Sequence, residues 1–126
     1  MSNVGTVGRK WLRERAAKSK IVMSVCMGAF LLADAGLLDG KQVTTHRWAQ
    51  AQLQTRIPSC TVVSDRRFVD SGHVVSTGGV TAGIDGALHV VERLAGRKTA
   101  QWTAEEWMEY RGYKPRQRST SILTNP

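Results

Sequence analysis

The feature that most constrains this chain is a cysteine placed between a short apolar run and a helix-forming segment. Residues 21–25 are mostly apolar and bounded by polar residues, which is typical of a strand covered on both faces in a parallel sheet. Residues 29–35 are helix formers, and Gly36 follows them as a stop. Residues 20–40 therefore predict a strand, a sharp turn at Cys26, a helix and a further turn.

The order of strand then helix recurs along the chain. Short β-branched or apolar runs predict strands at 21–25, 43–45, 61–63, 66–69 and 73–76. Helix-forming or helically spaced residues occur at 8–19, 29–35, 48–53, 80–95 and, more weakly, 100–110. The strands at 66–69 and 73–76 flank Asp70-Ser71-Gly72, which signals a hairpin. We predict an α/β fold with a mainly parallel sheet and one antiparallel hairpin.

Composition fits one cytoplasmic domain. The 126 residues can bury a core without disulfides, and no apolar run approaches the roughly 20 residues of a membrane-spanning helix. The N-terminus has no secretory signal pattern, so we expect a cytoplasmic location. Cys26 and Cys60 have neither disulfide-framework nor zinc-ligand spacing, so we expect free thiols, no metal and no cofactor.

The net charge of +8 is concentrated at the two ends of the chain. Residues 9–20 carry six basic side chains and one acidic one, and residues 111–118 add four more basic ones. A solvated helix and a basic tail over 111–126 explain this distribution better than a nucleic-acid groove does, since few aromatics interleave with the charges. Nucleic-acid binding is therefore the least favoured alternative, and we place the domain at residues 1–110.

Small residues flank Cys26 at the predicted turn. Ser24 and Gly28 stand two positions before and after it, the spacing that a tight strand-to-helix turn requires. A thiol there would sit among backbone N–H groups, those of Met27 and Gly28 included, which favour a thiolate and can hold an oxyanion. A buried structural cysteine is the competing interpretation of this hexapeptide.

Two further segments bring polar or glycine residues to predicted strand ends. His46 follows the strand at 43–45, and ligands in parallel sheets bind outside the carboxyl ends of strands, so His46 could face the same pocket as Cys26. The alternative is a half-exposed histidine that begins the next helix. Residues 78–85 carry Gly79 and Thr81 where a strand passes into the longest helix, and the glycines allow close backbone approach.

Together these segments resemble the ThiJ/PfpI superfamily. The resemblance lies in Val-Cys-Met-Gly-Ala-Phe-Leu-Leu-Ala at 25–33 with Ala-Gly-Leu-Leu-Asp-Gly at 35–40, Thr-Thr-His at 44–46 and Gly-Val-Thr-Ala-Gly-Ile-Asp at 79–85. The chain looks most like the branch of isonitrile hydratases and AraC-type regulator sensor domains, from about residue 9 to residue 110. The resemblance implies a flavodoxin-like, glutamine-amidotransferase-like fold without the family's opening strands.

The resemblance also implies roles for particular residues. It places the family's nucleophile at Cys26 and maps His46 and Asp85 onto motif positions near or behind that site. We expect His46 to assist catalysis, whereas Asp85 could also simply cap or buttress its helix. Met27, Gly28, Gly79 and Thr81 are the candidate oxyanion or binding positions. The implied function is a hydratase or hydrolase for a small isonitrile-, nitrile- or amide-like substrate.

Two departures from the family pattern favour an alternative. Met27 stands where relatives often carry a polar residue, and the family's acidic residue and glycine-rich oxyanion loop precede the segment that this chain matches. Activity would then be reduced or lost, leaving a non-catalytic dimeric binding module for a small molecule. Because an uncovered sheet edge is rarely tolerated by a monomer, we also expect a homo-oligomer.

Overall fold

The computed structural model describes residues 5–110, and the tail predicted at 111–126 lies outside the described residues. The helices are α1 (Thr6–Lys18), α2 (Ala29–Asp34), α3 (Gln50–Arg56), α4 (Thr81–Ala95) and α5 (Arg97–Trp102). The strands are β1 (Val22–Ser24), β2 (Gln42–Val43), β3 (Thr61–Val62), β4 (Phe68–Asp70) and β5 (Val74–Thr77). Short 3₁₀ turns occupy Cys26–Gly28 and Arg47–Ala49, and a π-helical turn occupies Thr103–Trp107.

The predicted α/β fold with a mainly parallel sheet and an antiparallel hairpin is confirmed. β5 lies between β1, to which it is parallel, and β4, to which it is antiparallel. β2 and β3 form a separate parallel pair. The two sheets are joined beside β5, where the N–H of Thr44 donates to the Ser76 hydroxyl at 2.9 Å. A side chain accepts this bond in place of a backbone carbonyl, so the strand ladder is interrupted at that point.

The core lies between the strands and helices α2 and α3. Its largest fully buried side chains are apolar residues of these elements and the turns beside them, namely Phe30, Leu38, Val43, Leu53 and Val74. Burial of each such side chain contributes about 1.5–3 kcal/mol to folding. β5 pairs with β1 and meets the segment after β2 at Ser76, so the segments that follow β1, β2 and β5 emerge at the same edge.

Helix α4 packs closely on β5 through glycine. A Cβ added at Gly86 would lie 2.3 Å from Thr77 Cγ2 and 3.4 Å from Met23 Cε. Only a residue without a side chain permits this approach of helix to sheet. The helix is thereby held with its N-terminal end next to Gly79.

An ionic cluster joins the β4–β5 hairpin to α4. His89 Nε2 lies 2.7 Å from Asp70 Oδ2, and Arg93 donates both to Asp70 and to the carbonyl of Gly72. Burial raises the pKa of Asp70, but the hydrogen bonds from His89 and the Gly72 N–H, with the charge of Arg93, outweigh it and lower the pKa overall. The carboxylate therefore stays ionised and keeps the hairpin turn against the helix.

Two sequence expectations differ from the structure. The helical spacing of Trp11, Leu12 and Ala16 within residues 8–19 predicts a thin apolar stripe on α1, but Trp11 is 58% exposed, and Ala16 is the buried residue of that helix. The weak helix expected at 100–110 begins at Arg97, directly after Gly96, because a φ of 96° at Gly96 turns the chain without a linking loop. None of the helices within residues 5–110 is long and apolar enough to cross a membrane.

Candidate active site

Cys26 lies at the turn between β1 and α2 with a left-handed backbone, φ 55°. Such a conformation costs a residue other than glycine about 1–3 kcal/mol and persists only where its surroundings hold it. The Cys26 N–H donates to the carbonyl of Gly78 at 3.1 Å, and the Thr45 hydroxyl donates to the Cys26 carbonyl at 2.6 Å. The segments after β5 and β2 therefore hold the turn from two sides.

The two thiols have different surroundings. Cys26 is half-buried, whereas Cys60 is 3% exposed within the core. Burial raises the pKa of the Cys60 thiol, and its own backbone hydrogen bond offsets this only in part. Cys26 is thus the thiol that a solute can reach, and Cys60 serves as an internal comparison.

His46 begins the 3₁₀ turn after β2, as the sequence alternative anticipated. Its Nδ1 accepts a hydrogen bond from the N–H of Trp48 at 3.1 Å, so His46 caps the turn with its side chain. A neutral ring that accepts at Nδ1 carries its proton on Nε2. The capping role and a position beside Cys26 are compatible, because they use opposite nitrogens of the ring.

Gly79 is the point at which Cys26 and His46 come together. A Cβ on Gly79 would lie 2.7 Å from His46 Cδ2, 3.5 Å from its Nε2 and 3.6 Å from Cys26 Sγ. The imidazole and the sulfur therefore approach the same small volume, which a side chain at residue 79 would fill. The three residues follow the carboxyl ends of β2, β1 and β5, the edge where parallel sheets place their sites.

The remaining predicted positions have other contacts. Met27 packs against the apolar core, and the N–H of Gly28 donates to the carbonyl of Val25 at 2.9 Å. The Thr81 hydroxyl accepts from Arg67 at 3.2 Å. Asp85 accepts from Arg67 Nε and, at 2.7 Å, from the Tyr110 hydroxyl, which is a buttressing arrangement. These contacts place Thr81 and Asp85 in a network with Arg67.

A polar cleft of about 650 Å³ adjoins His46 and Gly79. Its walls include side chains that the sequence analysis did not single out, namely Arg47, Gln50, Ser64, Asp65, Arg66 and Arg67. Val80 also lines it, with an unusual φ of 41° for a β-branched residue. Cys26 does not line the cleft. Its sulfur lies beside Gly79, and Gly79 is part of the cleft wall.

Thr45→Val is expected to loosen the turn at Cys26. Thr45 is 1% exposed, and valine keeps its shape while removing the hydroxyl that donates to Cys26. We expect a loss of about 1–2 kcal/mol in unfolding free energy, measured by urea denaturation. Thr44→Val is the matched control: Thr44 is equally buried, but its hydroxyl makes only contacts of 3.4–3.5 Å. Equal losses in the two variants would contradict a special role for Thr45.

A parallel α/β domain with a left-handed cysteine at the carboxyl edge of its sheet, and a histidine from the next strand end beside it, defines a recognisable class of protein. Residues 4–93 match the sequence model of the DJ-1/PfpI family. The chain belongs to that family, which confirms the resemblance noted in the sequence.

Characterised relatives include an enzyme and a regulator. The chain is 43% identical over 91 residues to isonitrile hydratase from Pseudomonas putida, a match covering 72% of this chain and 39% of the enzyme. It is 32% identical over 108 residues to the HTH-type transcriptional regulator CdhR from Pseudomonas aeruginosa, covering 86% of this chain and 32% of the regulator. The chain thus spans well under half the length of either relative.

Solved structures share the fold. A ThiJ/PfpI family protein from Pseudomonas syringae superposes with a TM-score of 0.77 at 27% identity, covering 92% of this chain and 46% of that protein. Drosophila melanogaster DJ-1beta superposes with a TM-score of 0.71 at 23% identity, covering 82% of this chain and 54% of that protein. Both support the flavodoxin-like architecture.

Proposed function

We propose that this chain is a cysteine-dependent hydratase or hydrolase acting on a small isonitrile-, nitrile- or amide-like substrate. The observation that carries the proposal is the left-handed Cys26, whose sulfur shares the space in front of Gly79 with the His46 imidazole. The 43% identity to isonitrile hydratase supports the substrate class. Cys26 is the nucleophile, and His46 is the partner that delivers a proton.

His46 acts as a proton donor in the first step of this scheme. Its Nδ1 is engaged by the Trp48 N–H, so the proton of the neutral ring lies on Nε2, on the side of the sulfur. For an isonitrile, the Cys26 thiol adds to the terminal carbon: sulfur bonds to that carbon, His46 Nε2–H passes its proton to the same carbon and takes the thiol proton in exchange, and the adduct is an S-linked thioformimidate. Water then adds to that carbon, one of its protons goes to the imidate nitrogen and the other to sulfur as the S–C bond breaks, which releases an N-substituted formamide and restores the thiol.

Backbone groups of the turn are proposed to stabilise the developing charge. The N–H of Gly28 already donates to Val25, and that of Ala29 donates to the carbonyls of Cys26 and Met27. The Met27 N–H is therefore the candidate donor of the turn, with Gly79 leaving the room that a substrate needs. Gly28 and Thr81, the other proposed binding positions, support the turn and orient Arg67 respectively.

The test is turnover of a small alkyl isonitrile, with the N-formamide product measured by chromatography. We expect Cys26→Ser to lower the rate by at least about 10³-fold, whereas Cys60→Ser retains it. His46→Asn should lower it by about 10²-fold, because asparagine can still accept the Trp48 N–H but supplies no imidazole. Full activity of Cys26→Ser, or no turnover by the wild type, would contradict the proposal.

A non-catalytic binding module is the second candidate. It is favoured by Met27, which packs into the core and offers no polar group at the sulfur, and by the regulator relative. Within residues 5–110, no carboxylate is hydrogen-bonded to Cys26 Sγ. Thermal stabilisation by isonitriles without any conversion would select this candidate.

A cytoplasmic homodimer is the proposed form of the protein. Within the described residues, β1 pairs on one side only, with β5, and apolar Val25 and Trp11 are 45% and 58% exposed. An unpaired edge beside exposed apolar groups favours association with a second copy. We expect light scattering at micromolar concentration to give twice the chain mass, and a stable monomer would contradict this expectation.

A further inference from the structure

The cleft beside Gly79 has more positive than negative side chains. Three arginines line it, Arg47, Arg66 and Arg67, against one carboxylate, Asp65. Concave surfaces lined by one sign of charge concentrate the field and attract solutes of the opposite sign. The charge surplus is local to the cleft and does not depend on the basic residues of α1.

The three arginines are not equivalent. Arg67 is held by Asp85 and Thr81, and the hydrogen bond to Asp85 raises the pKa of its guanidinium above the ordinary value. Within residues 5–110, Arg47 and Arg66 take part in no ion pair, and both are exposed on the cleft wall. Two guanidinium groups are thus available for a ligand, while the third is already paired within the protein.

We propose that this cleft binds the carboxylate of a small acid whose reacting carbon faces Cys26. His46 and Gly79 line the cleft and also adjoin the sulfur, so one molecule can contact both. A planar guanidinium fork matches a carboxylate geometrically, and Arg47 and Arg66 supply two such forks. The proposal rests on the proposed reaction at Cys26 and narrows its substrate class to carboxylate-bearing molecules.

The test compares alkylation of Cys26 by iodoacetate and by iodoacetamide. The two reagents share the reacting carbon and leaving group and differ in a carboxylate against a neutral amide. Rates at Cys26 are followed by peptide mass spectrometry, and their ratio is divided by the ratio for N-acetylcysteine under the same conditions. We expect this normalised preference for iodoacetate to be at least about fivefold at low salt and to fall as salt is added.

Substitution of the cleft arginines tests which side chains cause the preference for iodoacetate. Arg47→Gln and Arg66→Gln should each reduce it by about two- to threefold, and the double variant should abolish it. Arg13→Gln, on α1, removes the same charge away from the cleft and should leave the preference unchanged. A normalised ratio of one in the wild type, or an equal effect of Arg13→Gln, would overturn the proposal. Thermal unfolding of each variant confirms that it remains folded.

The alkylation and turnover measurements can contradict the two proposals independently. A carboxylate preference in a protein that converts neither a neutral alkyl isonitrile nor isocyanoacetate, which carries a carboxylate, would support the cleft and contradict the hydratase proposal. Turnover of neutral isonitriles with no carboxylate preference in alkylation would support the hydratase proposal and contradict the carboxylate-binding role of the cleft. The closing experiment therefore separates the binding role of the cleft from the chemistry at Cys26.

Discussion

Gly79→Ala is expected to lower isonitrile turnover by about 10²-fold while the protein stays folded. The new Cβ would lie 2.7 Å from His46 Cδ2, closer than real Cβ contacts come, so the imidazole must move. Displacement of a reacting group by about 1 Å is enough for a loss of this size. The measurement is the turnover rate beside the alkylation rate of Cys26 by iodoacetamide.

The alkylation rate separates two explanations of that loss. The same Cβ would lie 3.6 Å from Cys26 Sγ, an ordinary van der Waals distance, so the thiol should stay reachable. Gly5→Ala is the control away from the site, since its Cβ would meet nothing within 4 Å and its φ of −65° suits alanine, so turnover should be unchanged. Unchanged turnover in Gly79→Ala would show that the position of His46 does not matter to the reaction.

Gly86→Ala should destabilise the domain, because the added methyl group has no room between α4 and β5. Alanine favours a helix over glycine by about 1 kcal/mol, but here the Cβ would lie 2.3 Å from Thr77 Cγ2. Thr77 is fully buried and β-branched, so it cannot turn away, and α4 must lift from the sheet. We expect a net loss of about 2–3 kcal/mol in unfolding free energy by urea denaturation.

Paired substitution checks the cause of this loss. Thr77→Ser removes the methyl group that the new Cβ meets and keeps the hydroxyl, which donates to the Gly78 carbonyl. In the Thr77→Ser background, Gly86→Ala should lower the unfolding free energy by at least about 1 kcal/mol less than it does in the wild type. A difference of about this size is expected when an overpacked contact is relieved. Equal costs in the two backgrounds would indicate that Thr77 is not the obstacle.

The fold and the central pair of residues could be predicted because they depend on local and periodic patterns. The apolar run before Cys26 and the helix formers after it indicate a turn at one position, whose backbone is indeed left-handed. His46 was predicted near Cys26 because both follow parallel strands. The long helix α4 showed clear periodicity and ends where expected, before Gly96.

The cleft could not be predicted in the same way. Arg47 lies in a single 3₁₀ turn, and Arg66 and Arg67 precede β4, which begins at Phe68 and not at residue 66 as the sequence predicts. The sequence pattern therefore gives no direction for these three side chains. Their convergence depends on how the two sheets meet, and that is decided by buried contacts such as Thr44 with Ser76. The sequence does not predict the cluster of Asp70, His89 and Arg93 either, since Asp70 lies on β4 and the other two lie on α4.

The two oxygens of Asp85 serve different parts of the domain. One accepts from Arg67 on the cleft wall and the other from Tyr110, the last residue that the structure describes. Asp85 thus connects Arg67 on the cleft wall to Tyr110 through two hydrogen bonds. Loss of the Tyr110 hydroxyl would therefore leave Arg67 with a less firmly oriented anchor on the cleft wall.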